Sequence, residues 1–358
     1  MTKAQKPVET VELRPGYRIS RLIKGGWQLA GDHGTVERDR AVEDMIAFVD
    51  AGIVAFDCAD IYTGVEEMIG AFLARLAEVR GHDVAAAVKV HTKFVPDLAI
   101  LDRIDRRSVA DVIDRSLARL GRDRLDLVQF HWWDYAVPGA VECAGHLAAL
   151  QTEGKIDRIG VTNFDHEHLA EITAAGIDVV SAQIQYSLLD RRAEGGFADW
   201  ASAQGISILA YGSLAGGFLS DRWLGVPDPG FAFENRSLVK YRLIIEDFGG
   251  WALFQELLAV LRGIADRHGV DISAVAIRAM LQTPAVAAAI VGARYADRLP
   301  KTLSVFGFEL NDDDWSRIRA VQEESHGPTG PVYALERDRE GRHGRIMKYN
   351  LQSGGARH

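Results

Sequence analysis

Along the chain, short apolar runs alternate with longer stretches in which apolar and polar residues recur at helical spacing. The runs are IVAFD (53–57), VAAAVKVHTKF (84–94), LDLVQFH (125–131), DRIGVTN (157–163), VVSAQIQ (179–185), ISILAY (206–211) and VAAAIVG (286–292). Each is the length of a strand and is bounded by Gly or polar residues. Between them lie AVEDMIAFVDAG, RSVADVIDRSLARLG, AVECAGHLAALQTEG and WALFQELLAVLRGIADRHG, helical in period and closed by the Gly expected just past a helix C-terminus. Alternating strand and helix imply a parallel sheet.

An open dinucleotide-binding sheet carries a Gly-rich fingerprint after its first strand, and no G-x-G-x-x-G occurs here. A closed (β/α)8 barrel needs roughly 250 residues. The remainder of the 358 then supplies an N-terminal hairpin, VELRPGYRISRL, turning at Pro15 and Gly16, a long loop from Ser213 to Leu243, and a tail after Ser325. The expected fold is α/β: a (β/α)8 TIM barrel with an N-terminal β-hairpin, long loops over the C-terminal face and a C-terminal extension. Residues 1–324 form one domain, followed by a tail, 325–358. The tail is basic and Gly-rich, which allows disorder, but Val332, Tyr333, Leu335, Ile346, Met347, Tyr349 and Leu351 favour a segment folded over the barrel mouth.

Composition narrows the partners. A formal net charge of −9 argues against nucleic acid or an anionic membrane, both of which reward a basic face. MTKAQKPVETVELRPG has no apolar core for a signal peptide, and the most apolar stretch is broken by Arg278, Gln282 and Pro284. A cytoplasmic protein is expected. Cys58 and Cys143 alone make neither a disulfide framework nor a zinc site. Asp165-His-Glu-His168 looks like a metal cluster, but its spacing suits a helix start with Asp165 as cap, so no metal is expected.

The informative positions are the strand ends, where a barrel builds its site. There the apolar runs end in Asp57, Thr92-Lys93, His131, Thr162-Asn163, Gln183 and Tyr211. Any one of these could be a solvated or capping residue; together they would converge on one mouth. DCADIYTGVEEMIG resembles the D-T-A-x-x-Y-G…E-x-x-x-G signature of the aldo-keto reductase superfamily. VHTKF, LVQFHWWD, GKIDRIGVTNFD, SAQIQYSLLDR and ILAYGSLAGGFL resemble its later blocks in the same order, from about Ile19 to about Leu303.

The resemblance implies a catalytic tetrad of Asp57, Tyr62, Lys93 and His131 acting on a small-molecule carbonyl substrate (aldehyde, ketone or sugar) with a nicotinamide cofactor, Tyr62 being the proton donor. Thr162, Asn163 and Gln183 would bond the nicotinamide carboxamide and Tyr211 would stack on the ring. Ser213, Leu214 and Gly216 would follow the pyrophosphate, while Gly292, Arg294 and Arg298 would hold the phosphate end. Lys301 and Thr302 replace the family's usual Glu and Asn, but Arg294 and Arg298 can still contact phosphates, so NADP is the expected cofactor and NAD the alternative. Trp27, Trp132 and Trp133 would line the substrate pocket, with packing as the competing reading for all three and more so for the last two.

Elementary electrostatics fits these roles. A phenol titrates near 10; a lysine ammonium at about 4 Å, with an effective dielectric near 20, favours the phenolate by roughly 4 kcal/mol, about three pKa units. Asp57 would keep that lysine charged, and His131 would donate from one ring nitrogen to the substrate oxygen. Lys89 is an alternative on the same strand face as Lys93. Two other functions stay open: a cofactor-binding redox-sensing regulatory subunit, and a lyase or aldolase using Lys93 as a Schiff base.

Overall fold

The computed structural model describes residues 6–30, 36–233 and 235–352. Eight parallel strands close into a barrel: β3 (Leu22–Gly25), β4 (Ala55–Asp57), β5 (Lys89–Phe94), β6 (Leu125–Phe130), β7 (Ile156–Thr162), β8 (Val179–Gln185), β9 (Ser207–Tyr211) and β10 (Val286–Gly292), with β10 bonded to both β3 and β9. Ahead of them β1 (Thr10–Arg14) and β2 (Tyr17–Ser20) form an antiparallel hairpin. Its Leu13, Tyr17 and Ile19 pack with Ile23, Ala55, Leu127 and Leu209 and so plug the N-terminal end. Lys89 sits at that end, paired with Asp126 at 3.2 Å, which separates it from the mouth. The outward faces of the strands and the helices around them make the larger core.

Part of the family-like signature is packing. Glu66, buried at the start of helix Val65–Arg80, accepts from Thr92 Oγ1 at 2.6 Å and from Arg119 at 3.2 Å. A Cβ at Gly70 would collide with the Arg119 backbone oxygen, so Gly70 lets helix Arg106–Leu120 approach closely. Asp165 caps helix His166–Ala174, accepting from His168 N at 3.0 Å, and among the described residues no cluster of acids, His and Cys suits a metal.

The elements depart from the hydrophobic pattern in two places. The run 84–94 is half helix: His82–Ala87 is helical and only Lys89–Phe94 is strand, because Ala-rich residues favour helix and the β-branched segment begins later. The loop expected from Ser213 to Leu243 gives way to helix Arg236–Phe248, whose cap Asn235 accepts from Ser237 N.

The described part of the tail, 325–352, crosses the C-terminal end of the barrel. At one side Leu98 N donates to Tyr349 O (2.9 Å), Leu351 N to Asp97 Oδ1 (2.6 Å) and Gln352 Nε2 to Asp60 Oδ2 (2.7 Å). At the other, His343 Nε2 lies 2.7 Å from Asp247 of helix Arg236–Phe248.

Candidate active site

Three carbonyl or carboxylate oxygens hold the Lys93 ammonium: both oxygens of Asp57, at 2.9 and 2.8 Å, and the backbone oxygen of Cys58 at 2.7 Å. Lys93 and Asp57 are about 5% exposed, so each charge depends on the other. Asp57 Oδ1 also accepts from Gln129 at 3.2 Å and Gln183 at 2.6 Å. These partners come from β6 and β8, the alternate strands that share one layer of a barrel with β4.

Tyr62 stands on the loop beyond Asp57, its ring centre 4.9 Å from Lys93 Nζ and 4.8 Å from the ring of Trp27. Gly26 allows that approach: it bonds Asp57 O at 2.7 Å, and a Cβ there would lie 2.6 Å from the same oxygen. Burial raises the Tyr62 phenol above its ordinary value, outweighing the pull of Lys93. The expected three-unit depression is therefore not found, because desolvation of the phenolate is the larger effect.

His131 Nδ1 lies 3.0 Å from Thr162 O. A carbonyl can only accept, so Nδ1 carries the proton. Burial first and then Arg337 lower the ring to about 3, leaving it neutral with a bare, buried Nε2 that has no protein partner among the described residues. His131 thus presents an acceptor, not the donor expected from the sequence.

Around this group, Thr162 Oγ1 and Asn163 N donate to Gln183 O at 3.1 and 2.9 Å. Asn163 has a left-handed backbone, φ 62°, and its Oδ1 accepts from Tyr211 OH at 2.8 Å. The Trp133 ring meets His131 edge-on at 4.3 Å and Trp27 Nε1 donates to Ser237 Oγ at 3.0 Å. Trp132 turns the other way, bonding Val137 O and packing on Phe130, so it is not brought to the mouth. Tyr333, from the tail, covers His131 at 5.7 Å.

From Gly216 a cleft of about 470 Å³ leads away, lined among others by Ser220, Arg222, Ser273, Arg298 and Lys301. Its carboxylates are engaged: Asp221 with Arg262, Asp271 as a helix cap, Asp297 with Arg40 at 2.9 Å. Arg222, Arg298 and Lys301 have no carboxylate partner among the described residues, and three cations facing the single capping carboxylate of Asp271 leave a net positive cleft that suits a phosphate. Ser213 is buried against Ala210 O, and Leu214 begins the short turn containing Gly216.

The sequence model of the aldo/keto reductase family matches residues 21–323. The chain belongs to the aldo/keto reductase family. Membership makes it a nicotinamide-dependent oxidoreductase. It is 27% identical to the aldo-keto reductase YhdN of Bacillus subtilis (strain 168) over 333 residues, 91% of this chain and 97% of that protein. It is 29% identical to flagellar radial spoke protein 5 of Chlamydomonas reinhardtii over 314 residues, 78% of this chain and only 57% of the length of that relative. The glycerol dehydrogenase structure from Gluconobacter oxydans superposes with a TM-score of 0.72 at 24% identity, covering 92% of this chain and 99% of that one, and shares the fold.

Of the three residues expected at the phosphate end, Arg298 lines the cleft. Gly292 and Arg294 are not among the residues lining the cleft; a Cβ at Gly292 would collide with the Gln28 amide, which makes that glycine a packing position. The fold also brings in residues that the expected site did not include. Gln129 was legible only as a polar residue inside an apolar run. Arg222 and Ser273 lie far from the last strand, and Tyr333, Glu336 and Arg337 reach the mouth from the tail.

Proposed function

We propose that this reductase transfers hydride between NADPH and a small aldehyde, ketone or sugar, with Tyr62 as general acid in reduction and base in oxidation. The observation that carries the reading is the buried Lys93–Asp57 pair beside Tyr62 at the C-terminal face of a family barrel. Bound NADPH supplies the hydride to the carbonyl carbon. Tyr62 gives its proton to the carbonyl oxygen, and Lys93, fixed by Asp57, limits the cost of the phenolate that remains. His131, with its proton on Nδ1, accepts at Nε2 from a hydroxyl of the alcohol or sugar form of the substrate. Gln183 spends an N–H on Asp57 and offers its amide oxygen to the carboxamide; Thr162 and Asn163 complete that contact, and Tyr211 supports the ring. Trp27 and Trp133 bound the substrate space.

A 2′-phosphate seated on the cations of the cleft would favour NADPH over NADH, which brings only the pyrophosphate common to both. Arg298→Ala is expected to weaken NADPH binding roughly ten- to hundredfold, the worth of one charge-assisted contact, and to leave NADH within about threefold. Fluorescence titration with both cofactors checks this; equal losses would remove Arg298 from the phosphate site.

The function itself is tested by nicotinamide absorbance against time with NADPH and NADH, each offered aldehydes, ketones and aldoses. Cofactor binding without turnover on any of them would favour the regulatory-subunit reading.

A further inference from the structure

Two residues of the tail point in opposite directions across the mouth. Glu336 turns to Arg192 and Lys240; Arg337 turns to the loops that follow β6 and β7. Arg337 Nη2 donates to Trp132 O at 3.1 Å and to Asn163 O at 2.7 Å, and the guanidinium lies 4.0 Å from the centre of the Tyr135 ring. No ion pair joins it to a carboxylate among the described residues, and its Nε is buried without a partner. An arginine held this way is not a stabilising ion pair. One terminal nitrogen, Nη2, gives its hydrogens to two carbonyls that belong to different loops.

Those carbonyls sit next to the residues that define the site. Trp132 follows His131. Asn163 follows Thr162, whose own carbonyl fixes the His131 tautomer. Asn163 is held in a left-handed backbone that an L-residue adopts at a cost of order 1 kcal/mol, and its restraints are the bond to Gln183 O, the bond from Tyr211 and the bond from Arg337. Without Arg337 the peptide after Asn163 loses its tether to the tail, and the two strand ends lose their bridge.

We propose that Arg337 is a positioning residue of the active site, bridging the ends of β6 and β7 so that His131 and Asn163 keep their register and the tail becomes a working part of the reductase. The inference rests on the hydride-transfer reading above. Displacement by about 1 Å costs up to 10²-fold in rate, whereas Asn163 supplies only one of the several contacts proposed for the cofactor, so the loss falls mainly on kcat.

Arg337→Met is expected to lower kcat about ten- to hundredfold with the NADPH Kd changed less than about threefold, and Arg337→Lys, whose ammonium still donates to both carbonyls, to recover most of it. His343→Ala loosens the tail at its other anchor and is expected to leave kcat near wild type. An unchanged kcat in Arg337→Met, no recovery in Arg337→Lys, or an equal loss in His343→Ala would each overturn the assignment. Amide exchange at residues 132–135 and 163–165 in cofactor-free protein needs no turnover: it should quicken in Arg337→Met, and its failure to do so would overturn the bridge even if no substrate were found. Absence of turnover in the wild type, by contrast, would count against the hydride-transfer reading alone.

Discussion

Tyr62→Phe is expected to reduce kcat by about two to four orders of magnitude, the usual worth of a positioned general acid, with NADPH affinity within a few-fold of wild type. The variant removes one hydroxyl and keeps the ring that packs on Trp27 at 4.8 Å, so loss of fold does not explain the result. The direction of the Tyr62 shift adds a pH signature. Burial holds the phenol above its ordinary 10 against the pull of Lys93, so the acid form needed for reduction persists through neutral and mildly alkaline pH. Alcohol oxidation needs the phenolate, and its rate should climb with pH without levelling below about 10. Steady-state rates in both directions from pH 6 to 10 check this. A reduction rate that falls away near pH 7, or a Phe variant with wild-type kcat, would remove Tyr62 from the proton-transfer step.

How much of this was legible in the sequence follows from the range of the forces involved. Strand periodicity and the polar strand ends are local, so the barrel and the strand-end residues Asp57, Lys93, His131, Thr162, Asn163 and Gln183 could be read directly, whereas Tyr62 and the roles of the set were implied only by the resemblance to the family. Alternation also carried an unused warning about Trp132 and Trp133: neighbours on an extended segment face opposite ways, and only Trp133 reaches His131. The Tyr62 shift could not be read, because the sequence offers the lysine but not the burial that opposes it. Nor could the partners of the tail. Glu336 meets Arg192 across 144 positions and Arg337 meets Asn163 across 174, and no local period encodes contacts of that separation. The apolar residues of the tail gave only the possibility of a folded segment; the charges that anchor it look, in sequence, like an ordinary solvated stretch.

Glu336→Ala is expected to free the tail. The carboxylate is fully buried and meets Arg192 at 2.9 and 3.1 Å and Lys240 at 3.7 Å, while Arg192 is shared with Asp190 at 2.7 Å. Although burial pushes Glu336 up, Arg192 and Lys240 hold it at about 2. Burial, with repulsion from Arg192, keeps Lys240 below the ordinary lysine range despite the attraction of Glu336. Removing the carboxylate therefore leaves Lys240 buried among Tyr211, Tyr241 and Tyr333 with no acid in contact, and breaking a buried pair from one side costs about 3–5 kcal/mol. Because residues 331–349 lie outside the barrel strands and the helices around them, that cost appears as local opening, a rise of about two to three orders of magnitude in amide exchange over residues 331–349. Acid should do the same to the wild type. A group whose folded pKa is depressed from 4.5 to about 2 stabilises fully above about 4.5, and its contribution is lost as pH falls from there towards 2. Wild-type tail exchange, corrected for intrinsic rate, should thus be flat above about pH 5 and accelerate below it, whereas Glu336→Ala lacks that acid-dependent step. Equal protection of residues 331–349 in the two proteins at pH 7 would show that the tail is held by its hydrogen bonds to Asp97, Asp60 and Asp247, with the buried charges contributing no net stability.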